Sequence, residues 1–323
     1  MDERKLQVKK VRSRTNQVSA TMLIYYLIMT ITSVVALLLD AAFYAIGAYM
    51  NGAGDMMDVI AHISESAMSN GWGYLVAIAI GCLIMYLWKG KDFCFRAVFA
   101  REKKMTLGAF VALLCIFIAP QALLQVYVPA FEWLLNQMGF SATQALEVAT
   151  IQTDAVSMFL YVSILGPISE ELLCRGLVLR VMRPHGKQAA IFVSAALFGL
   201  YHGNAIQIPF AFLVGLVLGY VTVEYSIIWA MILHIINNFV LSDLAGRLSE
   251  VYPLGTEILF WSILGGSALA TVVLLIVRRK DVVAYFRENK MTAVNWRGVL
   301  SSPVLWVFVG IMLLMSLLTI TRI

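Results

Sequence analysis

The chain has 323 residues, of which 61% are hydrophobic and 13% charged, and its mean hydropathy is +0.83. A soluble domain carries about a quarter of charged residues, so this composition excludes one and implies α-helices that face lipid. Cys82, Cys94, Cys115 and Cys174 form no CxxC pair, which argues against a disulfide framework or a zinc knuckle, and no HExxH, phosphate-loop or nucleic-acid signature is present.

In chain order, apolar stretches fit for spans fall at 20–48, 72–88, 106–128, 155–181, 187–203, 205–223, 226–242, 255–277 and 301–321. The first is too long for a signal-peptide core and lacks a small-residue cleavage site, so it is expected to be retained. The fold class is therefore all-α, a polytopic bundle of about nine transmembrane helices. Basic residues test that count. They cluster before the first span (Arg4 to Arg14), after the second (Lys89 to Lys104), around the end of the fourth (Arg175 to Lys187) and after the eighth (Arg278 to Arg297). Only Arg247 and Arg322 fall on the alternate side. By the positive-inside rule the N-terminus is cytoplasmic, and eight to ten helices keep the pattern. The net charge of +5 is thus assigned to topology and anionic lipid headgroups, with no nucleic-acid partner.

Three regions are expected: 1–105, a basic N-terminus with two helices; 106–298, the membrane core; and 299–323, a last helix. Residues 136–153 are less apolar and are expected to form an external interfacial helix. Asp40 lies inside the first span with no evident partner, and His62 is expected to be solvated in an external loop.

Ionisable side chains within spans cost about 2.5–3.5 kcal/mol each on insertion scales and mark function. The fourth span reads SILGPISEELLCRGLVLR. Glu171 and Arg175 are i,i+4 and share a face, whereas Glu170 points about 100° away. Gly166 and Pro167 loosen the helix just upstream. The fifth span ends with Phe198 and His202 one turn apart, and the seventh holds His234 and Asn238 at the same spacing. Counted from the cytoplasmic ends, Glu170, His202 and His234 reach the inner half or middle of the membrane.

These residue types suit hydrolysis. A carboxylate and an imidazole can deprotonate water, and a second imidazole with an amide can hold the oxyanion. No serine or cysteine is evidently paired with a histidine, so activated water is favoured over a covalent nucleophile.

EExxxR (Glu170, Glu171, Arg175), FxxxH (Phe198, His202) and HxxxN (His234, Asn238), in that order, resemble the CPBP family of CAAX-processing endopeptidases with bacteriocin-processing and abortive-infection relatives. The resemblance implies an intramembrane endopeptidase; the lack of a long soluble domain, together with the strong inside bias of basic residues, points to a multi-pass protein of a bacterial cytoplasmic membrane. Glu170 and His202 would activate water, and His234 and Asn238 would hold the oxyanion. Glu171 and Arg175 would orient them, with Phe198 packed alongside. The substrate would be a membrane-associated peptide or protein. The metal-free mechanism is favoured, with zinc on Glu170, His202 and His234 as the alternative. Two other functions compete: an immunity or partner-binding protein that keeps the fold, and a proton-coupled transporter using the glutamates as a relay.

Overall fold

The computed structural model describes residues 3–52, 55–145 and 154–323. Each apolar stretch read from the sequence coincides with a helix. Helix α1 spans Glu3–Met50 and α2 Met56–Ser69. Four long helices follow in register with the expected spans: α3 (Trp72–Ala97), α4 (Leu107–Gln137), α5 (Val156–His185) and, after the shorter α6 (Lys187–Tyr201), α7 (Gln207–Glu224). Next come α8 (Ile227–Val251) and α9 (Pro253–Val277). The chain closes with α10 (Arg279–Glu288), α11 (Ala293–Leu300) and α12 (Pro303–Leu318).

Among the described residues, seven of these helices are long and apolar enough to cross a membrane, or eight if α11 and α12, bent by 62°, count as one span. The remaining expected span is α6, which has 15 residues. The protein is an all-α polytopic bundle with many apolar side chains turned outward, including Leu38, Phe43, Leu87, Val126 and Leu269.

Hydrogen bonds between loops sort the bundle into two ends. At one end, Glu102 donates to the Tyr225 carbonyl and Arg180 to those of Val98 and Ala100. Asn295 donates there to the His185 carbonyl and Ser302 to Asn16. The basic clusters of the sequence are thereby gathered together. At the other end, Gly71 donates to Ser157, and Phe140–Ser141 pairs antiparallel with Thr321–Arg322. The N-terminal segment and residues 321–322 therefore lie at opposite ends of the bundle.

Helix α1, at 48 residues, runs about 72 Å at 1.5 Å per residue, far more than a hydrocarbon core of about 30 Å. Its N-terminal turns pack on α11, where a Cβ on Gly298 would meet Val11 Cβ at 2.4 Å. Two expectations are corrected nearby. Asp40 is not alone: it accepts from Ser66 Oγ at 2.5 Å and meets His62 Nε2 at 2.9 Å. His62 lies in α2 rather than a loop, stacked on Tyr44 with ring centroids 4.0 Å apart. The reason is mutual: the two polar side chains satisfy one another between α1 and α2. Of the interfacial helix expected over 136–153, residues 136–137 end α4 and 140–141 form the short strand. Residues 146–153 lie outside the described residues.

The basic end is tied by Glu224, whose side chain is 4% exposed. It accepts from Lys103 Nζ at 2.7 Å, Lys187 Nζ at 2.6 Å and Tyr285 Oη at 3.0 Å, which joins the 98–106 loop to α6, α7 and α10. The bond to Glu224 raises the Lys103 pKa above its ordinary value. A raised lysine pKa adds stability that is complete below the unfolded value and lost as pH rises through the folded one. Glu224→Gln is expected to destabilise the protein by about 1–3 kcal/mol. The gap to wild type in thermal unfolding in detergent is expected to narrow above the ordinary lysine value of 10.5.

Candidate active site

The site is built where α5 leaves regular geometry. The Gly166 N–H bonds the Tyr161 carbonyl, five residues back, a wide turn of the kind found at functional positions. Only glycine fits, since a Cβ there would lie 2.5 Å from that carbonyl oxygen. In the same register the next donor would serve the Val162 carbonyl, but residue 167 is proline and has no N–H. Asn238 supplies the missing donor from α8, its Nδ2 lying 3.0 Å from Val162 O. A six-residue α-helical turn, Gly166–Glu171, then carries both glutamates before the wide turns resume over Leu172–Leu179.

Glu171 is the centre of the cluster. Its Oε1 accepts from Arg175 Nη1 at 2.8 Å and meets His234 Nδ1 at 2.9 Å. The Glu171 and Arg175 side chains are both 0% exposed. The second arm of Arg175 donates from Nη2 to Gly215 O of α7 at 3.2 Å. Its guanidinium lies 4.3 Å from the Phe198 ring centroid, so a cation–π contact adds to the charge pair.

Phe198 separates the two histidines. Its ring meets His202 edge-on at 5.0 Å and His234 edge-on at 5.7 Å. His202 follows the last turn of α6, with its Nδ1 at 2.9 Å from the Phe198 carbonyl. A carbonyl only accepts, so Nδ1 carries the hydrogen and Nε2 is the proton acceptor of the neutral ring. His234 is held by Glu171 in the same way, and its Nε2 stands 3.7 Å from Glu170 Oε2. That distance is too long for a direct hydrogen bond. Glu170 is 21% exposed, so of the two glutamates it is the one open to a reactant.

Thus Glu170, Glu171, Arg175, Phe198 and His234 come together as the motif spacing implies, with His202 joined through Phe198. The imidazole nearest Glu170 is that of His234, whereas the sequence pairs Glu170 with His202. Asn238 spends one amide hydrogen on Val162, and its Oδ1 accepts from Asn237 Nδ2 at 3.0 Å. Asn237 Oδ1 in turn accepts from Gln121 Nε2 of α4 at 2.8 Å. Neither Gln121 nor Asn237 stands out in the sequence, because neither is ionisable. The only signal is the Asn237–Asn238 doublet within the motif. As for a metal, no group of three or more His, Cys, Asp or Glu among the described residues is arranged to hold one, and Glu170, His202 and His234 do not form such a set.

A multi-pass membrane protein with a glutamate–histidine–arginine cluster buried between its central helices is the class that fold and site define. Residues 152–240 match the family model described as type II CAAX prenyl endopeptidase Rce1-like. Over these residues the chain is similar to the CAAX endopeptidase family. It encloses all three motifs and leaves α1 to α4 and α9 to α12 outside. No curated protein and no solved structure matches the chain.

Breaking the buried pair from one side leaves an uncompensated charge, at a cost of about 3–5 kcal/mol. Arg175→Met is accordingly expected to lower stability by that amount in denaturant unfolding. Arg175→Lys is expected to fall short of wild type, because an ammonium cannot bridge Glu171 and Gly215 while lying flat on Phe198.

Proposed function

We propose that the protein is an intramembrane endopeptidase of the glutamate type, cleaving a membrane-associated peptide or protein of the CAAX-like class. The observation that carries this reading is the 3.7 Å approach of Glu170 to His234, with Glu171 buried behind and Glu170 partly exposed in front. One carboxylate orients and the other reacts.

In this reaction Glu170, assisted by the free Nε2 of His202, takes a proton from water, and the oxygen attacks the scissile carbonyl carbon. The C=O π pair moves onto oxygen. The oxyanion accepts hydrogen bonds from the second N–H of Asn238 and from His234 Nε2. With Nδ1–H committed to Glu171, donation from Nε2 calls for the imidazolium; Arg175 already matches the Glu171 charge, so Glu170 is the anion that balances it before the proton transfer. Collapse of the intermediate re-forms the carbonyl and breaks the C–N bond, and the proton held by Glu170 passes to the leaving amine. Glu171 and Arg175 touch no reacting atom in this scheme; they are positioning residues. No step is routed through a metal. The basic end is read as the cytoplasmic one, in a bacterial cytoplasmic membrane.

The test uses detergent-purified protein and a panel of internally quenched peptides ending in a CaaX sequence, with and without an S-farnesyl group. Wild type is expected to cleave, and Glu170→Gln to lose cleavage while unfolding at the same temperature. Activity indifferent to a strong chelator supports the glutamate mechanism, and activity lost with the chelator favours the zinc alternative. Full turnover by Glu170→Gln sinks the mechanism.

A further inference from the structure

Three side-chain amides form a directed chain into the site, and its direction has a single source. Gln121 donates to Asn237, Asn237 to Asn238, and Asn238 to the carbonyl of Val162. A backbone carbonyl can only accept. The Asn238 end facing Val162 must therefore be its NH₂, so its oxygen must face Asn237. The same logic turns the Asn237 oxygen to Gln121. The Val162 carbonyl is open to Asn238 because Pro167 brings no N–H to the five-residue register begun at Gly166.

We infer that Gln121 and Asn237 are positioning residues for the cleavage reaction, holding the Asn238 amide so that its second N–H faces the oxyanion. Bonded at both its oxygen and one hydrogen, the Asn238 amide has neither a flip nor a rotation open to it. Val162 alone sets which end of the Asn238 amide faces it, but one bond leaves the amide free to swing about that contact, and Asn237, itself held by Gln121, removes that freedom. An amide swung out of line aims its second N–H away from the oxyanion, so the cost falls on the transition state and not on substrate binding. Gln121 follows Pro120 on α4, outside residues 152–240, so the site recruits a helix that the family match does not reach. Wide helical turns over Ile236–Leu244 let the consecutive side chains of Asn237 and Asn238 meet, which regular α-geometry separates by about 100°.

The inference rests on the proposed peptidase reading, and its test keeps the two apart. The full-length protein in detergent is assayed on the farnesylated quenched peptide as wild type, Glu170→Gln, Gln121→Met, Asn237→Ala, Asn238→Ala and the Gln121→Met/Asn238→Ala double variant. Gln121→Met preserves volume and removes the donor, and Asn237→Ala serves if that variant fails to fold. Gln121→Met is expected to lower kcat roughly tenfold or more with KM within about twofold. That loss is smaller than the roughly 10²–10³ for removing an oxyanion donor outright. The double variant is expected to be no slower than Asn238→Ala alone, since a residue acting through another adds nothing once the other is gone. Full kcat in Gln121→Met beside an inactive Glu170→Gln overturns the chain and leaves the peptidase standing. So does a double variant in which the two losses multiply. Full turnover by Glu170→Gln, or no cleavage by wild type, overturns both.

Discussion

The structure depends on one buried carboxylate oxygen. Glu171 Oε1 serves Arg175 and His234 at once, and through them it fixes three helices. Arg175 carries the link to the Gly215 carbonyl on α7 and to the face of Phe198 on α6, while His234 carries it to α8. In a low-dielectric interior neither the acid nor the guanidinium is tolerable alone. The arrangement is therefore held together by the cost of separating its members more than by the strength of any one bond. Phe198 then spaces the two imidazoles as a rigid apolar wedge.

The second constraint is a helix register. The wide turn at Gly166 and the absent N–H of Pro167 leave a carbonyl that α8 must answer, and Asn238 answers it. The irregularity that lets Glu170 face a reactant thus also docks the helix carrying His234. Glycine and proline act here as a pair. The first permits the close backbone approach and the second exposes the acceptor.

Much of this was legible in the sequence. The i,i+4 spacing of Glu171 and Arg175 identified their contact directly, because helical geometry leaves no other outcome for two charges in an apolar span. The nine apolar stretches likewise mapped onto helices, and the clustering of Lys and Arg foretold which loops share an end. What stayed hidden was of another kind. Which imidazole approaches Glu170 depends on how α6 and α8 pack, and local spacing carries no information about that. Asp40 and His62 looked unrelated because 22 residues separate them. Gln121 and Glu224 carry no signal in the sequence, because a single amide, or a carboxylate at a span boundary, gains meaning only from its distant partners.

The placement of charge also separates two tasks. Glu224, at the basic end, is neutralised by two lysines and a tyrosine hydroxyl and has no approach left for a reactant. Glu171 is equally enclosed. Glu170 faces the His234 Nε2 at 3.7 Å and keeps part of its surface open. Among these acids, the one open to a reactant is the one suited to exchange a proton, because a carboxylate that neither water nor substrate can reach cannot serve as a general base. The three carboxylates are chemically alike, and it is their burial that divides structure from reaction.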